Sequence, residues 1–234
     1  MHAYEAPSSV KDRVVKRMGK LSTHDVIAAN RCALVVIDMQ NYFCAEGFAA
    51  EVPLAREIVH NINHLANVMR PAGGTVVWVQ ATAFGANETW GNFQKEMLSP
   101  KRQQERLAGL DEAAEGFQLF PALDVRPDDM RIKKIKYSAF IAGSSDIDER
   151  LKSQNIDTLL ITGTLTNVCC ESSARDAMML GYKAVMLSDA NATLTDEEHA
   201  ASLNTFMMFF GEVMSTDEAC SRLVPIAAAK AASR

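Results

Sequence analysis

Leu159-Leu160-Ile161-Thr162-Gly163-Thr164-Leu165-Thr166-Asn167-Val168-Cys169-Cys170-Glu171-Ser172 reads as a buried strand, a glycine turn, a Thr/Asn pair suited to capping, and the first turn of a helix that carries a cysteine. The helical pattern runs from near Val168 to Gly181, where glycine ends it. Strand, tight turn and helix in immediate succession are the unit of a parallel sheet, because a parallel neighbour is reached only by a crossover. The same unit recurs outward from this segment. Ala33 to Ile37 is a short β-branched run ending in Asp38, followed by Leu54, Ile58, Ile62, Leu65 and Met69 at helical spacing before Pro71, Gly73 and Gly74 close the pattern. Further strands are expected at Thr75 to Val79, Met130 to Ile135, Thr158 to Thr162 and Ala184 to Leu187, with helical patterns at Ile147 and Leu151 and at Leu203, Phe206, Met207 and Phe210. The alternation predicts an α/β domain with a doubly wound, mostly parallel sheet and helices on both faces.

That domain is expected over residues 30–225, preceded by an N-terminal arm (1–29) and followed by an Ala-rich tail (226–234) expected to fray. In the arm Val10, Val14, Val15, Met18 and Leu21 share one helical face, suited to packing on the body or on another subunit. Thr82 to Arg126 has no clean period and reads as an irregular excursion over the site, with a short helix near Lys101 to Leu107. With 24 Lys+Arg against 29 Asp+Glu, the 234-residue chain carries a formal charge of −5. Such a balance gathers no polyanion, so neither nucleic acid nor membrane is an expected partner and a small molecule is. No apolar run approaches the roughly 20 residues of a membrane span, and no export signal is recognisable at the N-terminus. Cys32, Cys44, Cys169, Cys170 and Cys220 make an odd set with an adjacent pair, which fits a reducing, cytoplasmic setting and offers neither a disulfide framework nor zinc-ligand spacing.

In open parallel sheets ligands bind beyond the carboxyl ends of the strands. Three chemical groups fall there: Asp38, Lys134 and the Gly163 to Cys170 turn. A thiol at a helix N-terminus ionises more easily than usual, and the same free N–H groups suit a developing oxyanion. Each residue also has a plainer reading. Cys169 could be a small core residue or half of a redox pair with Cys170, Asp38 a cap, and Lys134 one member of the basic run Arg131, Lys133, Lys134, Lys136. Together they form a nucleophile, a base and a cation at three strand ends. A non-catalytic α/β module that binds a small ligand or forms oligomers is the alternative.

Taken in order, Val36-Ile37-Asp38-Met39-Gln40 with Phe43, Lys134-Ile135-Lys136-Tyr137-Ser138-Ala139-Phe140, and Gly163-Thr164-Leu165-Thr166-Asn167-Val168-Cys169 resemble the three motifs of the isochorismatase-like cysteine hydrolases. Thr166 to Cys169, Glu171-Ser172, Arg175-Asp176, Asp38 to Asn41 and Phe209-Phe210-Gly211 are most similar to the ureidoacrylate amidohydrolase branch. The resemblance implies a Rossmann-like three-layer fold, Asp38 as general base, Lys134 as the cation, Cys169 as nucleophile, and an oxyanion hole at the N–H groups of Thr166 and Cys169. It also implies a non-proline cis peptide, at Leu165–Thr166, and substrate contacts from Gln40, Phe43, Trp90, Phe93, Tyr137 and Leu165, with Trp90 and Phe93 reading equally well as core or subunit-contact residues because aromatics dominate both settings. A cysteine at the nucleophile position points away from vinyl-ether hydrolysis and toward C–N cleavage of an amide, ureido or carbamoyl compound without a cofactor; a family hydrolase acting on another bond is a further alternative. Family nicotinamidases bind a metal through Asp-x-His-x-His after the second strand; here Gln80 to Phe84 lacks Asp and His, so no metal is expected, and His60 and His64 read as a solvated helix face. Family members are commonly homodimers or tetramers, and an oligomer is expected.

Overall fold

Runs of β-branched and leucine side chains with no polar interruption leave neither face for water, and in the computed structural model, which describes residues 1–225, they form the middle of the sheet. The strands are β1 (Ile27–Ala28), β2 (Cys32–Ile37), β3 (Thr75–Ala81), β4 (Met130–Lys134), β5 (Thr158–Thr164), β6 (Lys183–Ala192), β7 (Glu212–Met214) and β8 (Leu223–Val224). Six of them form one sheet in the order β4-β3-β2-β5-β6-β7, each neighbouring pair parallel, while β1 and β8 pair separately. The helices are α1 (Ser8–Met18), α2 (Asn41–Cys44), α3 (Val59–Ala72), α4 (Ala86–Thr89), α5 (Pro100–Gly109), α6 (Ile147–Ser153), α7 (Glu171–Met179), α8 (Asp196–Phe209) and α9 (Thr216–Arg222). This is the expected doubly wound α/β architecture.

The period of two along β2 divides the core. Cys32, Leu34 and Val36 pack with Ile62, Leu65 and Met69 of α3, whereas Ala33, Val35 and Ile37 pack with Ile147 and Leu151 of α6, Ala174 and Ala177 of α7, and Leu203 and Phe206 of α8. Each large side chain so buried contributes about 1.5–3 kcal/mol. Ahead of the sheet, α1 buries Val10 and Val14 against Met207 of α8. Glu212 on β7 then gathers the chain that follows α1: it accepts from Ser22 Oγ, Thr23 N and Oγ1, and His24 N, and pairs with Arg222 at 2.7 Å. The expected Ala-rich tail (226–234) lies outside the described residues.

Three elements depart from expectation. Leu54 belongs to a separate 3₁₀ turn, Pro53–Arg56, ahead of α3. The edge strand β7 and the β1/β8 pair are too short to show a period. β6 runs past Leu187 to Ala192, with a register shift against β5 between Ile161 and Gly163. Asn191 fills that irregularity, donating to the Ile161 and Leu187 carbonyls at 2.9 and 2.7 Å.

The winding reverses between β2 and β5, which opens a crevice at their carboxyl ends. Their backbones approach closely there. Gly163 has φ 115°, and a Cβ at this position would lie 2.0 Å from the Ile37 carbonyl oxygen and 2.7 Å from its nitrogen. Directly after Ile37, Asp38 turns out of the strand at φ 53°, in the left-handed region that few non-glycine residues adopt. Its N–H donates to Val79 O at 2.9 Å, and its carbonyl accepts from Thr164 Oγ1 at 3.1 Å. Gly163→Ala is therefore expected to cost about 3 kcal/mol or more, through both the clash and the positive φ. Urea denaturation measures it, and wild-type stability of the variant would contradict the close approach.

Candidate active site

Period-two geometry explains why one lysine of a basic run turns inward. Along β4, Met130, Ile132 and Lys134 share the buried side of the strand while Arg131 and Lys133 face solvent. Lys134 is 1% exposed and Asp38 is fully buried. The Lys134 ammonium lies 2.8 Å from Asp38 Oδ2, 3.5 Å from Cys169 Sγ and 3.1 Å from the Lys136 carbonyl oxygen. It meets Asp38 off the hydrogen-bonding direction, so neither carboxylate oxygen accepts an aligned bond from a described residue. The three groups singled out at separate strand ends thus converge.

Cys169 arrives from the other side of the switch point. Leu165 caps a π-helical turn, Thr166–Cys170, that leads into α7, and its carbonyl accepts from the N–H groups of both Val168 and Cys170. The expected cis peptide at Leu165–Thr166 is in fact one bond earlier, at Thr164–Leu165. The physical reason is that the Leu165 carbonyl already accepts the first helical hydrogen bonds, so the turn out of the strand is complete before Thr166. The leading N–H groups of such a turn have no preceding carbonyl to bond, and those of Thr166 and Cys169 belong to it. Thr166 Oγ1 meets His199 Nδ1 at 2.9 Å, the far ring nitrogen meets the Ser188 carbonyl at 3.0 Å, and the ring stacks on His2 at 4.4 Å. Burial, with His2 alongside, pushes His199 down to about 4, so the ring is neutral near pH 7 and Thr166 donates to it. Sequence reasoning missed this support because a lone histidine in a helical pattern carries no signal. Cys170 points into the core, with its sulfur 3.8 Å from the Thr162 carbonyl oxygen.

The three groups open on a cavity of about 520 Å³. Phe43, Phe93, Tyr137 and Leu165 line it, as does Val168. Two expected substrate contacts lie elsewhere. Gln40 is fully buried and stitches backbone together, donating to the carbonyls of Ala81 at 3.0 Å and Phe117 at 2.9 Å and accepting from Ala81 N at 2.7 Å. Trp90 backs the wall, stacked on Phe93 at 4.1 Å and edge-on to Tyr137 at 4.8 Å. Residues not anticipated from sequence complete the lining, among them Tyr42, Leu98, Arg102 and Arg106. Leu98, Arg102 and Arg106 come from the irregular 82–126 excursion, whose helix α5 buries none of its residues and so shows no apolar stripe. Among the described residues no group of three His, Cys, Asp or Glu side chains is arranged to hold a metal, and His60 and His64 are exposed on α3.

An isochorismatase domain is matched over residues 32–218. The chain belongs to the isochorismatase family. It is 33% identical over 208 residues to the ureidoacrylate amidohydrolase of Pseudomonas syringae pv. syringae, covering 83% of this chain and 84% of that one. Against the enzyme of the same name from Cronobacter turicensis it is 32% identical over 221 residues, covering 88% and 94%. The crystal structure of a cysteine hydrolase from Pseudomonas syringae pv. phaseolicola superposes with a TM-score of 0.75 at 31% identity, covering 84% of this chain and 93% of that one. Kinship with curated amidohydrolases over most of its length makes this isochorismatase-family chain an amidohydrolase.

Its resting electrostatics differ from the expectation of an easily ionised thiol. Burial pushes Cys169 up to about 12; the Lys134 charge pulls the other way, and the Asp38 carboxylate adds to the upward push. For Lys134 burial alone would favour the neutral amine, but Asp38 and Cys169 facing it reverse the sign and hold the ammonium charged. The helix N-terminus is outweighed because the sulfur is buried beside a carboxylate. At neutral pH the resting pocket therefore holds a thiol beside an ion pair. Alkylation of Cys169 by iodoacetamide, followed by mass spectrometry, is expected to accelerate by about tenfold per pH unit from pH 7 to 9. A rate already level at pH 7 would mean a preformed thiolate.

Proposed function

We propose that this amidohydrolase cleaves the C–N bond of a small linear amide, ureido or carbamoyl compound through an acyl intermediate on Cys169, releasing ammonia or an amine. The observation that carries the reading is the Lys134 ammonium held 2.8 Å from the Asp38 carboxylate and 3.5 Å from the Cys169 sulfur on one cavity wall. Support also comes from the relatives named for a ureide substrate and from a cavity of small-molecule size.

In this reading Asp38 takes the Cys169 proton as the sulfur attacks the carbonyl carbon, and Lys134 offsets the charge that develops. The oxyanion rests on the N–H groups of Thr166 and Cys169, at about 3–4 kcal/mol for each donor. Collapse breaks the C–N bond, and Asp38 returns its proton to the leaving nitrogen. Water then gives a proton to Asp38 and attacks the thioester or thiocarbamate. As the C–S bond breaks, that proton passes to the sulfur and the acid departs. A thiol with a raised pKa fits this order, because its proton moves only when a carbonyl is in place to take the electrons.

The same reading has the enzyme act in the cytoplasm as a homodimer or homotetramer. Five cysteines without a disulfide support the first, and exposed Ile141 and Met179 beside Phe210 support the second.

An ammonia-release screen over short ureides and linear amides tests the chemistry. Cys169→Ala and Asp38→Asn are each expected to lower kcat by roughly 10³-fold or more, because members of one catalytic unit fail together. Cys170→Ser is expected to leave kcat within about threefold, since its thiol takes no part in the step. Intact-mass spectrometry should show an acyl adduct on wild type and none on Cys169→Ala; turnover persisting in Cys169→Ala would sink the proposal.

A further inference from the structure

Behind the turn that carries Thr166 and Cys169, a chain of polar groups leads back to the N-terminal arm. The Ser188 carbonyl can only accept, so His199 Nε2 bears the ring proton and Nδ1 takes the Thr166 hydroxyl. That ring is braced in turn: His2 stacks on it with 19° between the planes, and Tyr4 meets it edge-on at 6.0 Å. His2 is 3% exposed and anchored at both nitrogens. Its Nδ1 lies 2.6 Å from Asp196 Oδ1 at the start of α8, and its Nε2 accepts from Thr193 N at 3.1 Å. Thr193 Oγ1 then donates to Asn167 Oδ1 at 2.7 Å. One imidazole therefore reaches two consecutive residues of the turn, Thr166 through His199 and Asn167 through Thr193.

Thr166, Thr193 and His199 are fully buried, so water has little access to these bonds and the loss of one leaves a partner unpaired. An N–H group favours a developing oxyanion only if it is aimed before the charge appears, within a tolerance of about 0.5 Å. Whatever fixes the Thr166 side chain thus also fixes a donor. The arm is itself held down, because Tyr4 OH donates to Asn204 Oδ1 on α8 at 3.0 Å and Val10 and Val14 of α1 pack against Met207. His2 and Tyr4 precede the residues 32–218 matched to the family, so family membership does not account for the brace.

We propose that His2 is a positioning residue for the hydrolytic reaction, and that through His199 and Thr193 the N-terminal arm holds the oxyanion turn in its working geometry. The inference rests on the hydrolytic reading for the role of the Thr166 N–H, and on the arm's own contacts for the brace.

Two measurements on the untagged chain take these parts separately. Hydrogen–deuterium exchange with mass spectrometry follows the peptide spanning 164–172 with no ligand present. His2→Ala is expected to speed exchange there about tenfold, whereas Val14→Ala, which loosens the arm at α1 instead, should leave it within about twofold. Ammonia release from the short ureides and linear amides of the screen gives the second readout. There His2→Ala is expected to lower kcat about tenfold with KM within about twofold, since an oxyanion donor acts on the transition state more than on bound substrate. Val14→Ala, assayed below its melting temperature, should keep kcat within about twofold, because lost stability alone does not alter the folded site. His2→Gln keeps an amide able to donate to Asp196 and accept from Thr193; it should lie between His2→Ala and wild type in both readouts, and it decides the matter if His2→Ala does not fold. Unchanged exchange over 164–172, faster exchange with unchanged kcat, or a fall in kcat shared by Val14→Ala overturns the assignment. Faster exchange in an enzyme that hydrolyses none of these compounds removes the hydrolytic reading and leaves the brace, whereas turnover with exchange unchanged does the reverse.

Discussion

Lys134 and Asp38 form an ion pair with almost no access to water, and the rest of the site is arranged around it. Removing either partner from a buried pair strands the other charge at a cost of about 3–5 kcal/mol. The two residues sit at the ends of strands separated by β3, so the pair is in place only when the sheet has closed in the correct register. That register also turns Lys133 outward, to Glu112 at the surface, while its neighbour turns in. A slip of one residue in β4 would exchange their places. The electrostatics of the pocket are therefore a readout of strand pairing.

The centre of the fold was legible because nothing else could be made of it. Val35-Val36-Ile37 and Leu159-Leu160-Ile161 have no polar side to offer a solvated helix or an exposed strand, and Asp38 and Gly163 stand where those runs stop. Asp38 and Cys169 could be suspected for the same reason, since strand ends at a switch point are where side chains meet. Lys134 needed the period of two as well as its position.

What stayed hidden followed other physics. Gln40 sits beside the acid in sequence, yet its amide completes the hydrogen bonding of β3 and of Phe117, an accounting that appears only when the backbones are assembled. Trp90 and Phe93 are close in the chain, but stacking puts one ring at the cavity and the other behind it. Helix α5 offered no apolar stripe because its inward face looks into a cavity instead of a core. The position of the cis bond depended on which carbonyl accepts the first helical bonds, a detail below the resolution of any motif. Scaffold residues were thus easier to recognise than the walls that select a substrate, as expected where loops carry specificity and strands carry rigidity.

The order of the strands has a consequence for the protein while it is being made. β2 is synthesised early and lies in the middle of the finished sheet, flanked by β3 on one side and β5 on the other. On the ribosome its first partner emerges long before its second. During that interval the most thoroughly buried strand of the native protein presents an unpaired apolar edge, the kind of surface that recruits chaperones or other nascent chains. The late arrival of β5 covers that edge and delivers the Gly163 turn that leads to Cys169, so a chain that stalls before this point would be both sticky and without its pocket.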